Sequence, residues 1–235
     1  VPEEKRMLMF SATMPKEILK LAENFMKNPE IIKTKKASES TSQADQIYYE
    51  VKESDKVEAL TRIIDRDPAF YGVVFCRTKL QCDEVAKKLS DRGYDAAALH
   101  GDLSQKEREN ILKRMKERRL SILIATDVAA RGLDIQDLSH VINYSLPQDP
   151  EIYIHRVGRT GRAGKNGTAI TFITPSEARK FSYIKRASKS DIRREEIPTA
   201  SEVIESKKGR IIDALEAALN KEPAIDYYSL AETLL

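Results

Sequence analysis

The chain has 235 residues, 41% of them hydrophobic and 33% charged, enough to bury one large core with appendages. Its net charge of +3 balances 40 basic against 37 acidic residues, so bulk charge does not point to nucleic acid and the placement of the basic residues must decide. There is no apolar run long enough to cross a membrane and no signal-peptide core, and Cys76 and Cys82 lack the neighbouring His or Cys that a metal site needs. These features lead to the expectation of a cytoplasmic protein without membrane contact or resident metal, with two free structural thiols.

In chain order, residues 1–36 predict a strand at Met7–Phe10, a helix from about Lys16 to Met26, and the basic run Lys33-Thr34-Lys35-Lys36. Residues 37–45 are small and polar, with no apolar period, and are read as a linker. From 46 to 198, short apolar runs alternate with helical stretches, which predicts an α/β fold with a parallel sheet covered by helices on both faces. The predicted strands are Gln46–Val51, Gly72–Phe75, Ala96–Leu99, Ser121–Ala125, His140–Asn143 and Thr168–Ile173.

Between these strands, Val57, Leu60, Ile63 and Ile64 form one helical stripe, while Leu80, Val85 and Leu89 contribute to another. Ser104 with Glu107, and Thr174 with Glu177, read as capping boxes, and Asp149-Pro150 reads as a cap followed by the first helical residue. Residues 199–235 form a helical extension. It opens on Thr199 and Glu202, carries an apolar stripe at Ile211, Ile212, Leu215, Ala218 and Leu219, and ends in a short helix from Ser229.

Two segments carry the chemistry. In the run from His155 to Arg162, Arg156, Arg159 and Arg162 recur every third residue with Gly158 and Gly161 between them. Guanidinium groups in that pattern can pair with phosphate and stabilise charge on a transferring phosphoryl group; alone, the pattern reads equally as a solvated basic helix end or an RNA-backbone patch. Upstream, the run from Ala125 to Asp134 follows an apolar strand and puts Thr126 and Asp127 at a strand's carboxyl end, where open α/β sheets bind ligands. In isolation it reads as a strand-to-helix turn capped by Thr126 and Asp127.

Taken in series with Ser11-Ala12-Thr13, the run Val73 to Thr78, and His100-Gly101-Asp102 followed by Gln105 and Arg108, these segments resemble the DEAD-box ATP-dependent RNA helicases of the bacterial cold-shock type. The resemblance reaches to about Pro198. It implies that 46–198 is the second of two RecA-like domains, and that 1–36 is the tail of the first, its strand belonging to that domain's sheet.

By similarity, Arg159 and Arg162 face the triphosphate of ATP, with Arg162 as arginine finger, and Asp134 and Gly132 lie on the nucleotide side. His155 and Arg156, with Ser11 and Thr13, would couple the two domains. Arg77, Thr78, Gly101, Gln105, Arg108 and Thr126 would form the RNA track, whose partners are phosphates and 2′-hydroxyls and therefore independent of base sequence. Residues 199–235 are a candidate dimerisation segment.

Two departures from the family pattern stand out. In Asn143-Tyr144-Ser145-Leu146-Pro147, Ser145 stands directly before the Leu-Pro, where many members carry Asp, and the sequence contains no Gly-Lys-Thr phosphate loop, no Asp-Glu-Ala-Asp and no adenine-reading Gln motif. ATP and its Mg²⁺ would therefore be held mainly by the first domain, and the chain alone is expected to be inactive. The competing readings are a stand-alone RNA-binding or protein-interaction module with the same fold, and a related nucleotide-dependent enzyme acting on DNA.

Overall fold

In the computed structural model, residues 7–10, 16–26, 28–32, 44–130, 135, 138–161 and 166–219 are described. Seven strands form one sheet in the order β3-β4-β2-β5-β6-β1-β7, and every pairing is parallel. They are β1 (Ala44–Glu50), β2 (Gly72–Phe75), β3 (Ala96–Leu99), β4 (Ile122–Ala125), β5 (His140–Asn143), β6 (Gly167–Ile173) and β7 (Arg193–Arg194). The helices are α1 (Lys16–Phe25), α2 (Lys56–Arg66), α3 (Lys79–Ser90), α4 (Gln105–Lys116), α5 (Asp127–Ala130), α6 (Pro150–Val157), α7 (Ala178–Ser188) and α8 (Ala200–Leu219).

Strand pleating divides the core. Val74, Ile124, Ile142, Ile170 and Phe172 pack with Leu60 and Ile63 of α2 and Val85 and Leu89 of α3 on one face. Their neighbours Val73, Phe75, Leu123, Ala125 and Val141 point the other way and pack with Met115 of α4 and Ala129 of α5. Farther along that second face, Ala169 and Ile173 meet Tyr153 and Val157 of α6 and Phe181 and Ile184 of α7. Strands β2, β4 and β5 are buried at every position because both faces are covered, which explains their largely apolar sequence, with His140 and Asn143 of β5 as buried polar exceptions.

Helix starts follow local chemistry. Ser104 and Glu107 form a reciprocal capping box at α4. Asp149 accepts from Ile152 N at 2.9 Å with Pro150 as the first residue of α6. Thr78 caps α3 by accepting from Gln81 N at 3.1 Å. Cys76 and Cys82 are both free and fully buried, closed to solvent reagents, and the Cys82 thiol together with burial pushes the Cys76 pKa well up.

The expected strand at Met7–Phe10 is not formed: these residues have no regular structure, and Leu8 and Phe10 are exposed. An apolar run becomes a strand only where a sheet edge accepts its backbone groups, and none of the seven strands pairs with it. α1 forms as expected and leaves Leu21 and Phe25 exposed. At the other end α8 packs against α2 through buried Val203 and an ion pair of Lys207 with Asp65 at 2.7 Å. Beyond that contact Ile211, Ile212 and Leu215 are exposed. Among the described residues, no helix is long and apolar enough to cross a membrane.

Candidate functional site

Because every strand runs the same way, all carboxyl ends lie at one sheet edge, and neighbouring strands deliver neighbouring residues there. From β3 come His100 and Gly101, from β4 Thr126 and Asp127, from β2 Arg77 and Thr78, and from β5 Tyr144 and Ser145. The expected RNA-track residues Gly101, Thr126, Arg77 and Thr78 thus follow three adjacent strands, β3, β4 and β2.

The arginine segment is anchored at this edge by Arg156, which is 3% exposed. Its Nε and Nη2 donate to the two carboxylate oxygens of Asp127, at 2.7 and 2.9 Å. Its Nη1 donates to Asn143 Oδ1 at 2.9 Å and to the Ser145 carbonyl at 2.8 Å, and its guanidinium carbon lies 4.9 Å from the centroid of the Phe75 ring. Arg156 was expected to couple to the first domain; here it makes four hydrogen bonds inside this one. A buried guanidinium must find several acceptors at once, and Asp127, Asn143 and Ser145 supply them. His155, one residue earlier on α6, is exposed.

Asn143, fully buried, accepts from Arg156 through Oδ1 and donates from Nδ2 to Thr171 Oγ1 at 3.1 Å. An amide can do both where a carboxylate can only accept. Among the described residues, no buried side-chain polar atom is left without a partner.

After α6 the chain turns sharply. Gly161 has φ of +64°, and a Cβ there would lie 2.7 Å from Ala44 N, so only glycine fits this turn. Thr160 donates its hydroxyl to the Leu138 carbonyl, tying the turn to the loop before β5. Arg159 is half-buried at the carboxyl end of α6. Arg162, Gly132, Asp134, Ser11 and Thr13 lie outside the described residues.

Of the residues expected to contact RNA, Arg77 and Thr78 sit where β2 enters α3. Gln81 Oε1 accepts from Arg77 N at 3.0 Å and from Ser145 Oγ at 2.6 Å. A continuous chain of bonds therefore runs from Asp127 through Arg156, Ser145 and Gln81 to Arg77. Lys79 pairs with Asp102, joining the start of α3 to the loop after β3, and this pairing holds the Asp102 carboxyl below the usual range. Of the linking residues, Asp127 was expected at this edge but with no role as partner of Arg156, and Asn143, Ser145 and Gln81 were not among the expected site residues.

Two expected RNA contacts have internal roles. Thr126 is 9% exposed and caps α5, its Oγ1 accepting from Ala129 N at 3.4 Å. Arg108 donates to the Ala129 carbonyl at 2.8 Å, tying α4 to α5. Gln105, exposed at the start of α4, bonds Glu109 at 2.7 Å, and Gly101 is exposed. Among the described residues no group of three His, Cys, Asp or Glu side chains could hold a metal ion.

Comparison with known proteins gives one account. The family described as "Helicase conserved C-terminal domain" matches residues 55–164. The DEAD-box ATP-dependent RNA helicase CshA of Geobacillus kaustophilus is 46% identical over the whole chain, which spans 50% of that relative's length. The structure of the C-terminal domain of the DEAD-box protein Dbp5 is matched with a TM-score of 0.63 at 34% identity, covering 71% of this chain and 98% of that one. S. cerevisiae Dbp5 bound to RNA and ADP BeF3 is matched with a TM-score of 0.78 at 30% identity, covering 88% and 56% of the two chains.

Proposed function

Since the chain belongs to the DEAD-box family and carries its C-terminal helicase domain, we propose that it works as the second half of an ATP-driven RNA-unwinding motor. The observation that carries this reading is the Arg156 anchor, which fixes the base of the arginine segment at the sheet edge that also presents Arg77 and Thr78. Both ligands of such a motor would then meet one rigid set of strand ends. A stand-alone binding module would not require a buried four-bond clamp beneath a row of arginines.

The chain spans half the length of the curated relative CshA, and the ATP site is read as lying between this domain and a first domain. Arg159 and Arg162 fit the phosphates of ATP by the chemistry of their donors, and Gly132 and Asp134 fit its ribose side. Bound ATP with Mg²⁺ supplies the phosphoryl group and the charge that drives closure. Arg162 stabilises negative charge as it develops, His155 contacts Ser11, Thr13 and the first domain, and Arg156 positions the segment that carries them.

RNA binds by its backbone to Arg77, Thr78, Gly101 and Gln105, with Thr126 and Arg108 holding the loops in place. Domain closure around ATP bends one strand out of duplex geometry, and hydrolysis reopens the cleft. Residues 199–235 add self-association, through exposed Ile211, Ile212 and Leu215 of α8, and the setting is the cytoplasm. Truncation after Pro198 should lower the particle mass by more than the lost residues.

The test of the whole reading is reconstitution. Mixed with a purified first domain, the chain should restore RNA-stimulated ATP hydrolysis that neither part shows alone. No stimulation in the mixture or in a fused two-domain protein would refute it.

A further inference from the structure

Arg77 is the one expected RNA contact whose guanidinium has a charged partner in the free domain. Its Nη2 lies 3.4 Å from Glu177 Oε1, with half of the Arg77 side chain and 19% of the Glu177 side chain exposed. Glu177 does not reach Arg77 by chance of rotamer. Its other oxygen, Oε2, accepts from both the backbone N and the hydroxyl of Thr174, each at 3.0 Å, which fixes the carboxylate over the turn after β6.

The pair stands where two surface cavities meet. One, of about 660 Å³, is bordered by Lys52, Arg77, Lys180 and Glu177; the other, of about 280 Å³, is bordered by Thr78, Gln81, Arg77 and Glu177. A phosphate approaching this groove meets the cations Lys52, Arg77 and Lys180. Glu53, the other carboxylate bordering both cavities, is bonded to Lys56 at 2.7 Å. Glu177 alone of the two competes for Arg77.

We propose that Glu177 is an intramolecular stand-in for an RNA phosphate, holding Arg77 in the free domain and yielding it when single-stranded RNA enters the groove. The proposal rests on the reading of Arg77 as an RNA contact. An exposed ion pair in water is weak, while a phosphate can take the guanidinium fork in a bidentate, charge-assisted pair. Exchange of partners is therefore favourable but reduced by the carboxylate, and Glu177 sets how much RNA affinity the groove delivers. The capping bonds keep Glu177 in place as Arg77 leaves, so the latch resets on release.

The experiment measures binding of a fluorescent oligouridylate to the complete protein with a non-hydrolysable ATP analogue, in a double-mutant cycle. Arg77→Gln should weaken binding several-fold. Glu177→Gln should tighten it by about three- to five-fold, the upper part of the range of a surface ion pair, and should do nothing in the Arg77→Gln background. Glu84→Gln, which removes a carboxylate from the same groove's border, should leave affinity near wild type.

If Glu177→Gln binds like wild type, or tightens binding equally without Arg77, the latch is refuted while the RNA track stands. If Arg77→Gln has no effect, the RNA reading of Arg77 falls and the latch with it. Should Glu177→Gln lose its fold by circular dichroism, Glu177→Asp, one methylene shorter, reads the same competition.

Discussion

Ser145 joins the two halves of the site: its carbonyl accepts from Arg156 Nη1 at 2.8 Å while its hydroxyl donates to Gln81 Oε1 at 2.6 Å. Through Gln81, which also accepts from Arg77 N, the arginine segment and the loop after β2 share one rigid connection. Ser145→Ala keeps the carbonyl and removes only the hydroxyl bond. It should cost about 1 kcal/mol of stability and raise the RNA concentration for half-maximal ATPase stimulation, leaving basal turnover unchanged. Chemical denaturation and an RNA titration of ATPase activity check both parts.

Asp127 balances a guanidinium that is 4% exposed at the side chain, although the carboxylate itself is about a third exposed. Asp127→Ala leaves that charge with only neutral acceptors. The expected loss is about 3 kcal/mol, the low end for breaking a buried pair because water still reaches one partner. By calorimetry the unfolding midpoint should fall by about 6–12 °C. Arg156→Lys should be comparably destabilising, because a single ammonium cannot reproduce four directed bonds.

Asn143 tests how much charge the same node tolerates. Asn143→Asp removes the donor to Thr171, but the Thr171 hydroxyl can turn to donate, and Arg156 gains a carboxylate. The change should lie within about 1 kcal/mol of zero. Asn143→Leu, which strands both Arg156 and Thr171, should cost about 2–3 kcal/mol by equilibrium unfolding.

A pH effect is expected from His140, which is 8% exposed and stacked on Phe70 at 4.8 Å. Burial holds its pKa below the ordinary 6.5, against an opposing pull from Asp67 at 3.7 Å. The unfolded chain therefore takes up a proton below about pH 6.5 that the native state resists. Native stability present above that pH should be lost as pH falls through it toward the lowered native value. Thermal melts from about pH 7.5 to about 5.5 should show this loss, and His140→Gln should flatten it.

The strands were legible because a strand covered on both faces is mostly apolar, and Gly72–Phe75 and His140–Asn143 inside the sheet and Ala96–Leu99 at its edge form with the expected bounds. β7 was not, since two exposed arginines paired to Ile47 and Tyr48 at a sheet edge carry no apolar signal. Met7–Phe10 shows the reverse: apolar character alone does not make a strand.

At the site, the motif positions were legible as letters but their division of labour was not. Arg156 and Arg159 have identical chemistry in the sequence, and only the helical phase of α6 turns Arg156 inward to Asp127. The link through Ser145 and Gln81 joins β5 to α3 across the sheet, a proximity that no local spacing encodes.

The central claim is that this domain supplies an arginine to a triphosphate held by its partner domain, and one substitution tests it. In the complete protein, Arg162→Ala should lower RNA-stimulated ATP turnover by about 10³-fold or more, with oligouridylate affinity within about two-fold of wild type. Turnover persisting near the wild-type rate would contradict the account.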